Sequence, residues 1–331
     1  MKLHDISVVV PVYNEEKGIP ELFDRLRTTV EKVSRDAEFI FVNDASTDGS
    51  LSIIRQLAET DKRVRFISFS RNFGHQVAVT AGLEHSRGKA VVIIDGDLQD
   101  PPELIPELYA TYQKGFKVVY AKRRSRAGES WFKKSTARVF YRLLKRLTHV
   151  HIPIDTGDFR LIDRQIVEQL SLMPEPNKFL RGQIAWMGFR QTFVEFDRDA
   201  RKYGTTGYPI KKMLRFAFDG ITAFSDVPLK FATAAGFLVS AMTLLVIVYA
   251  LFSHFVLNHT ITGWTSLIVS SMFIGGIQLF AIGIIGEYIG RINQTVRKRP
   301  LYIVEEQNTG QETNDEGTGA GSAGNESNPY D

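Results

Sequence analysis

The sequence predicts an α/β domain built on a mainly parallel sheet, followed by two transmembrane α-helices. Short apolar runs such as ISVVVPV at residues 6–12 alternate with stretches of about 10–15 residues whose apolar side chains recur at helical spacing. Near the C-terminus, residues 231–253 and 264–287 each hold an almost wholly apolar run of about 22 residues, enough for a helix to cross a bilayer. These observations indicate a globular domain that precedes a membrane domain.

The strands and helices of the globular domain can be assigned in chain order. The apolar runs predict five strands, at residues 6–12, 38–42, 64–69, 89–94 and 118–121. Helices are predicted between them: at 19–30, after the capping residues Ser46 and Asp48, at 76–85, and after Pro101-Pro102. Strands that alternate with helices of this length favour a mainly parallel sheet covered on both faces.

Polar residues follow three of these strands directly. Asn14-Glu15, Asn43-Asp44 and Asp95-Gly96-Asp97 each come where an apolar run ends. The carboxyl ends of parallel strands meet at one edge of a sheet, and ligands of open α/β sheets bind there. Carboxylates at such a place suit a hard divalent cation, Mg²⁺ or Mn²⁺, that is shared with the phosphates of a substrate.

Several classes of site are absent from the sequence. No G-x-G-x-x-G follows the first strand, and there is no Walker P-loop, so phosphate charge has to be met by a metal and by basic side chains. The chain has no cysteine, which excludes disulfides and thiolate chemistry. Basic residues are concentrated at 122–146, where ten Lys or Arg accompany a single acidic residue.

The charge pattern around the apolar runs predicts the topology. Lys and Arg lie before the first run and after the second, whereas the connecting residues 258–263 have none, so both termini and the globular domain are expected in the cytoplasm of a multi-pass inner-membrane protein. The basic residues of the chain are then explained by a membrane partner and not by nucleic acid. We divide the chain into a cytoplasmic domain (1–207, with a possible interfacial helix at 131–147), an amphipathic interfacial helix (208–227), two spans (228–290), a basic cytoplasmic segment (291–304) and a disordered acidic tail (305–331).

A series of motifs resembles a known family. They occur in the order seen in family 2 glycosyltransferases, and the chain resembles the polyprenyl-phosphate glycosyltransferases in particular, of the bactoprenol glucosyltransferase and dolichol-phosphate mannose synthase type. The motifs are PVYNEE, VNDASTDGS, RNFGHQ, IDGDLQDPPE, GDFRLIDR and RGQIAWMGF, followed by the two apolar runs. The resemblance covers about residues 5–303 and implies the GT-A fold, a sugar-nucleotide donor such as UDP-glucose, a divalent metal, and transfer with inversion onto an isoprenyl phosphate.

The resemblance also implies roles for individual residues. The metal ligands it implies are Asp95, Asp97 and Gln99. Asp158 is implied to be the base or the residue that orients the acceptor, with Arg160 beside it. The residues implied to contact the nucleotide sugar are Pro11, Tyr13, Glu15, Asp44, Asp95, Gly96, Arg123 and Arg201. Arg126 and Arg138 are candidates for the acceptor phosphate. One position departs from the family, since Gly207 stands where a Lys near the diphosphate is common, which shifts that charge to Arg201, Lys202, Lys211 or the metal.

Two other functions remain open at this stage. A processive polysaccharide synthase shares the fold, but such synthases usually carry a Q-x-x-R-W segment and more spans, whereas this chain reads Gln183-Ile184-Ala185-Trp186. A membrane-anchored scaffold that binds nucleotide sugars without catalysis is the second, and the presence of Asp95, Asp97, Gln99 and Arg201 argues against it. Glycine residues in the second run, at 275, 276, 283 and 286, favour close helix packing and a homo-oligomer.

Overall fold

The computed structural model of the chain describes residues 3–124, 156–173, 175–176, 178–196, 227–255 and 263–308. The strands in this part are β1 (His4–Val12), β2 (Ala37–Asn43), β3 (Val64–Phe69), β4 (Gly88–Ile93), β5 (Val118–Arg123), β6 (Thr156–Asp163), β7 (Gln191–Phe196) and β8 (Val304–Gln307). The helices are α1 (Ile19–Val30), α2 (Ser50–Thr60), α3 (His75–His85), α4 (Ile105–Tyr112), α5 (Arg164–Ser171), α6 (Leu180–Trp186), α7 (Val227–Phe255) and α8 (Trp264–Val296), and a 3-10 turn (Pro102–Leu104) leads into α4.

The described strands form one sheet in the order β7-β5-β6-β4-β1-β2-β3-β8. β6 runs antiparallel to both β4 and β5, and β8 runs antiparallel to β3, whereas the other pairs are parallel. The sheet is therefore mixed but mainly parallel, as predicted. The chain runs from β1 to β2 and β3 on one side of β1 and then crosses back to β4 on its other side, so the strand order reverses beside β1, where open α/β sheets bind ligands.

Apolar side chains on both faces of the sheet explain why its central strands are hydrophobic throughout. Every residue of β2 is buried, and so are the last seven residues of β1. One face packs against α1 through Leu22, Phe23 and Leu26, and the other against α3. A Cβ atom added at Gly82 of α3 would lie 2.2 Å from Cγ1 of Val9, so only glycine allows α3 to approach β1 this closely.

All five predicted strands are confirmed, and three further strands escaped the sequence analysis. β6 contains the GDFRLID stretch, which is an interior strand of the sheet. The strand lacks the regular alternation of apolar and polar residues by which strands are recognised, because the charged side chain of Arg160 is buried. β7 is an edge strand in which only two of six residues are buried, so its hydrophobic pattern is weak.

The segment after α8 corrects the predicted start of the acidic tail. Glu305, Glu306 and Gln307 belong to β8, which pairs with the edge of β3, so the tail does not begin at residue 305. Its composition resembles that of a disordered segment, yet β3 supplies backbone partners for it. Residues 309–331 lie outside the described part of the chain. The predicted basic segment 291–304 likewise begins inside a helix, since α8 continues to Val296.

The two long helices α7 and α8 correspond in position to the two predicted spans. They contact each other, and many large apolar side chains on both are exposed, for example Phe237, Leu245, Leu267 and Met272. Within the described residues, one segment, Ser270–Val296, is long and apolar enough to cross a membrane by length and composition. The second span thus has structural support as a candidate, and a transmembrane role for α7 stays a prediction. The predicted interfacial helices at 131–147 and, apart from Val227, at 208–227 lie outside the described residues.

Candidate active site

The antiparallel register of β4 and β6 brings two carboxylates together at the sheet edge. Ile93 of β4 pairs with Arg160 of β6. Two residues farther along β4 and two residues back along β6, the same register sets Asp95 beside Asp158. The ends of β1 and β2 lie next to this pair, because β1 is the other neighbour of β4. The structure therefore confirms that the polar residues after these strands share one edge of the sheet.

The loops after β1 and β2 hold each other through reciprocal hydrogen bonds. The backbone N–H of Asn14 donates to Oγ of Ser46 at 3.0 Å, and its side-chain Oδ1 accepts from the N–H of Thr47 at 2.8 Å. The N–H of Glu15 donates to Oγ of Ser50 at 3.0 Å. Tyr13, just before these residues, leaves 49% of its surface exposed, so an aromatic ring borders the open edge.

Asp44 organises the next loop. Its carboxylate accepts hydrogen bonds from the backbone N–H of Phe73 at 2.6 Å and from that of Gly74 at 2.9 Å. Gly74 has a φ of 102°, a conformation that L side chains rarely adopt, and α3 begins at the next residue, His75. The expected contact between Asp44 and the nucleoside base stays a prediction, and the structure adds a second role, because Asp44 is almost fully buried and directs His75 toward the site.

Asp158 is surrounded by hydrogen-bond donors from three elements. Its Oδ1 accepts from Nη2 of Arg160 at 3.0 Å and from Nε of Arg181 at 2.9 Å. Its Oδ2 lies 3.2 Å from Nε2 of His75 and 3.4 Å from Nε2 of Gln76. His75 also approaches Asp95, with 3.6 Å between Nε2 and Oδ1. A compact network of alternating charges results.

These contacts shift the pKa values of the network. Burial raises the pKa of Asp158, but the charge of Arg181, the hydrogen bond from His75 and the charge of Arg160 lower it by more, so that its pKa lies well below 3.8. Burial lowers the pKa of His75, but the hydrogen bond with Asp158 and the charges of Asp95 and Asp158 raise it to about 9. At neutral pH the network therefore holds an anionic Asp158 and a cationic His75.

Two arginines stand behind this network. Arg160 is only 1% exposed, and its guanidinium lies 5.2 Å from the ring centre of Tyr120. Nη2 of Arg123 lies 3.7 Å from Oδ1 of Asp100, which is fully buried. A Cβ atom at Gly157 would come within 3.1 Å of the same Nη2, so glycine leaves room for Arg123 beside the Asp158 loop. Asp100 thus has a structural task that the sequence analysis left unassigned.

The loop after β4 contains the residues expected to bind a metal. Oδ1 of Asp97 accepts from the backbone N–H of Gln99 at 3.1 Å, in a turn where Leu98 has a φ of 58°. Burial raises the pKa of Asp95, the charge of His75 lowers it, and the carboxylates of Asp158 and Asp97 raise it further. Oδ1 of Asp95 is buried and has no hydrogen-bond partner among the described residues.

These residues suit a divalent cation only if the substrate shares it. In the part of the chain that the structure describes, no three Asp, Glu or His side chains come together as a complete metal site. An unsatisfied buried carboxylate oxygen on Asp95 and the adjacent Asp97 are hard oxygen donors, which fits a Mg²⁺ or Mn²⁺ ion that takes its remaining ligands from a diphosphate. Gly96 permits the close approach of this loop to β1, since a Cβ atom there would lie 3.2 Å from the carbonyl oxygen of Pro11.

The structure brings most of the predicted site residues together, while their roles stay predictions. Those gathered at the sheet edge are Pro11, Tyr13, Glu15, Asp44, Asp95, Gly96, Asp97, Gln99, Arg123, Asp158 and Arg160. Pro11 is buried, whereas Tyr13 is open to solvent. Arg126, Arg138, Arg201 and Gly207 lie outside the described residues, so nothing here tests them.

Sequence reasoning missed three residues of the network. The helix predicted at 76–85 begins one residue earlier, at His75, and this residue also reaches Asp158. Gln76 and Arg181 received no role. Their motifs, RNFGHQ and RGQIAWMGF, were recognised as part of the family pattern, and that is the signal that could have drawn attention to the polar residues in each.

A Rossmann-like mixed sheet with carboxylates and cations at the carboxyl edge of its parallel strands is an arrangement that many α/β enzymes use to bind phosphorylated ligands. Comparison with known proteins gives the family. The model of the family described as "Glycosyl transferase family 2" matches residues 7–171. An uncharacterized glycosyltransferase of Bacillus subtilis, YkcC, is 51% identical over 299 residues, which are 90% of this chain and 93% of that protein. The chain therefore belongs to glycosyltransferase family 2 and is a glycosyltransferase with the GT-A fold.

Relatives with a more specific name are also similar over nearly the whole chain. The bactoprenol glucosyl transferase of Shigella phage SfII is 41% identical, over 92% of this chain and 99% of that protein. A prophage bactoprenol glucosyl transferase homolog of Escherichia coli is 41% identical over 91% and 98%. Among solved structures, glucosyl-3-phosphoglycerate synthase of Mycobacterium tuberculosis aligns with a TM-score of 0.46 and 22% identity over 66% of this chain and 76% of that one.

Proposed function

We propose that this glycosyltransferase transfers a sugar, glucose from UDP-glucose, with inversion onto a polyprenyl phosphate such as undecaprenyl phosphate at the cytoplasmic face of the membrane. The product would serve the modification of cell-envelope glycans. The observation that carries the proposal is the 41% identity to a bactoprenol glucosyl transferase over 92% of the chain. An alignment of that extent includes the long apolar helices as well as the α/β domain.

The chemistry of this reaction fits the charges at the sheet edge. An oxygen of the acceptor phosphate attacks C1 of the sugar, and the bond from C1 to the diphosphate breaks with release of UDP. A phosphate oxygen is already a nucleophile at neutral pH, so the step needs little help from a base. It does need positive charge near the acceptor and near the departing diphosphate, because both are anions.

Different residues would bind the donor and orient the acceptor. Asp95 and Asp97, with Gln99 beside them, would hold a Mg²⁺ or Mn²⁺ ion. Such an ion neutralises charge that develops on the leaving diphosphate. Tyr13 and the buried Asp44 lie at the ends of β1 and β2, where the nucleoside would bind. Asp158 would orient the acceptor side of the site, since the low pKa that its contacts impose makes it a weak proton acceptor.

The long helices fit an acceptor that cannot leave the bilayer. α7 and α8 expose apolar side chains along most of their described length, as a lipid environment requires. Arg297, Lys298 and Arg299 follow α8 and favour a cytoplasmic end there. With both helices in the membrane, the catalytic domain would lie at the surface where the polyprenyl phosphate is exposed. Glycines of α8 have open space around them, which would let a second copy pack closely.

The direct test is sugar transfer by the purified full-length protein in detergent. We expect labelled glucose from UDP-glucose to enter an organic-extractable product when undecaprenyl phosphate is present, EDTA to abolish the transfer, and Mg²⁺ or Mn²⁺ to restore it. Asp97→Asn should reduce the rate by ~100-fold or more, since it weakens the metal site. Asp24→Asn, an exposed change on α1, is the matched control and should keep full activity.

Other outcomes would contradict the proposal in distinct ways. A water-soluble labelled polymer that grows without polyprenyl phosphate would identify a processive polysaccharide synthase. Binding of UDP-glucose without any transfer to a panel of phosphate acceptors would identify a scaffold. Efficient transfer from a different nucleotide sugar, with UDP-glucose inactive, would preserve the lipid acceptor and replace the donor.

A further inference from the structure

We propose that Tyr302, in the segment after α8, is a positioning residue for the donor: it holds the loop between β3 and α3 in the conformation that fixes Asp44. The inference rests on the proposed function, because it takes the nucleoside of the donor to bind beside Asp44. It gives this segment a task in donor binding, whereas the sequence pattern identified it only as basic and cytoplasmic.

The first support is a row of three aromatic rings that joins this segment to the loop. The ring of Tyr302 stacks on that of Phe69, with 4.9 Å between the centroids and 26° between the planes. Phe69 in turn meets Phe73 in a T-shaped contact at 5.6 Å between centroids. Phe69 is fully buried and is the last residue of β3, and Phe73 lies in the loop that follows. A single buried side chain therefore separates Tyr302 from the loop.

The second support is that the residues at the end of this row donate to Asp44. The backbone N–H groups of Phe73 and Gly74 donate to its two carboxylate oxygens at 2.6 Å and 2.9 Å. Nδ2 of Asn72 donates to its backbone carbonyl oxygen at 3.3 Å. The direction of the Asp44 carboxylate thus depends on the backbone of this loop. A ligand loses less affinity to ordering when the group that it contacts is already fixed.

The third support is that the segment after α8 contacts both ends of the loop. The carbonyl oxygen of Ile303 accepts from the N–H of Ser70, the first residue after β3, at 3.1 Å. The hydroxyl of Tyr302 donates to Oε2 of Glu84, in α3, at 2.7 Å. α8 ends at Val296, shortly before these contacts begin. A short stretch of chain therefore connects the end of this apolar helix to the loop that holds Asp44.

The location of the row also predicts which step of the reaction depends on it. Tyr302 is partly buried at the border of its apolar cluster, so its loss would uncover one face of Phe69 and would leave the centre of the domain packed. Asp95 and Asp97 follow β4, a different strand, and have no part in the row. The effect of losing Tyr302 should therefore fall on the affinity for the nucleoside and not on the transfer step.

The test compares Tyr302→Ala with Tyr109→Ala in the full-length protein. Tyr109 is a partly buried tyrosine that packs against the opposite face of the sheet, and it serves as the matched control. The quantities measured are the Kd for UDP with Mn²⁺ present, the KM for UDP-glucose and kcat. We expect Tyr302→Ala to raise the Kd and the KM by about fivefold or more and to leave kcat within about threefold, because donor binding is weakened before the transfer step. Tyr109→Ala should keep all three within about twofold of wild type.

Further variants separate positioning from a general loss of stability. Tyr302→Phe keeps the stacked ring and loses only the bond to Glu84, so its Kd for UDP should stay within about twofold of wild type. Phe73→Leu should weaken UDP binding as Tyr302→Ala does, and the double variant should bind about as well as the weaker single variant, since both changes interrupt one row of contacts. Thermal unfolding of each variant sets a common temperature at which all are folded. If Tyr302→Ala does not fold, Tyr302→Leu, which fills more of the space, takes its place.

Binding without turnover keeps this inference separate from the proposed function. If the wild-type protein binds UDP and transfers no sugar, the proposed function fails, and the Kd values still decide the role of Tyr302. Equal Kd values for UDP in the wild type and Tyr302→Ala would overturn the inference, as would an equal weakening by Tyr109→Ala. A lower kcat with an unchanged KM for UDP-glucose would also overturn it.

Discussion

At the scale of single residues, the contacts of Asp158 decide how it can act. A general base works best when its pKa lies near the working pH. The charge of Arg181 and the contacts with His75 and Arg160 instead hold the pKa of Asp158 well below 3.8 against the effect of burial. The carboxylate of Asp158 therefore stays ionised at neutral pH and acts by orienting the cationic side chains around it. The proposed phosphate acceptor is already ionised, so it would not need a stronger base than this carboxylate.

Replacing Asp158 by asparagine should therefore disable catalysis while sparing the donor site. The amide keeps the size of the side chain but removes the charge that holds Arg181 and His75. We expect kcat to fall by ~100-fold or more and the Kd for UDP to change by less than about threefold. Steady-state kinetics and equilibrium binding measure the two. Turnover within a few-fold of wild type would show that neither orientation nor proton transfer depends on Asp158.

A second residue-scale prediction concerns stability and pH. Asp163 accepts from the N–H of Gln165 at 2.9 Å, from the hydroxyl of Tyr112 at 2.9 Å and from Nζ of Lys117 at 3.0 Å. Burial raises its pKa, but these bonds lower it below 3.8. A folded-state pKa below the unfolded value adds stability that is present above about pH 4 and is lost as the pH falls through the folded-state pKa.

We therefore expect Asp163→Asn to lower the free energy of unfolding by about 1 kcal/mol at pH 7. The difference from wild type should shrink as the pH is lowered through and below 3.8. Urea unfolding at several pH values measures both effects. Asp24→Asn, which removes an exposed ion pair with Arg27, is the control and should cost less than about 0.5 kcal/mol. A constant difference between Asp163→Asn and wild type down to pH 3 would contradict the linkage.

At the scale of elements, β8 connects the end of the apolar helices to the catalytic domain. Besides its pairing with β3, Glu306 forms an ion pair with Arg55 of α2. The ring of Tyr302 stacks on Phe69 at 4.9 Å between centroids, and its hydroxyl donates to Glu84 of α3 at 2.7 Å. These contacts attach the segment after α8 to β3 and α3. The loop between β3 and α3 is the one whose backbone N–H groups donate to Asp44.

Removing this strand should destabilise the domain, whereas removing the rest of the tail should not. We expect a chain ending at residue 303 to unfold several degrees lower than wild type, because the edge of β3 loses its backbone partners and the Arg55 contact. A chain ending at residue 308 keeps β8 and should unfold at the wild-type temperature. Differential scanning fluorimetry of the two truncations in detergent compares them. Equal unfolding temperatures would show that β8 is dispensable.

At the scale of the whole molecule, the proposed topology places the catalytic domain and the loop between α7 and α8 on opposite sides of the membrane. α7 and α8 expose apolar surfaces, and β8 returns the chain to the catalytic domain after α8. With two spans, the catalytic domain and the C-terminus lie on one side and the loop between the helices lies on the other. The basic residues at 297–299 favour the cytoplasm for that side in the proposed topology.

The absence of cysteine makes this topology simple to test. In intact cells, a membrane-impermeant maleimide should label Thr260→Cys, in the connecting loop, and should not label Ser327→Cys, near the C-terminus. Both should react after the cells are opened, which serves as the control for accessibility. Labelling of Ser327→Cys in intact cells would contradict a cytoplasmic C-terminus, and protection of Thr260→Cys would contradict two spans.

Whether the sequence predicts a feature depends on how far apart along the chain the interacting residues lie. The sequence alone determines the five central strands, the helices between them, the apolar helices and the cluster of polar strand ends, because the periodicity of apolar side chains is a local property. Only the tertiary structure decides that β6 is antiparallel, that β8 completes the sheet, and that His75 and Arg181 meet at Asp158. The partners are far apart in the chain: 83 positions separate His75 from Asp158, and 251 separate Arg55 from Glu306. No local pattern encodes such pairs, since the sheet register brings them together.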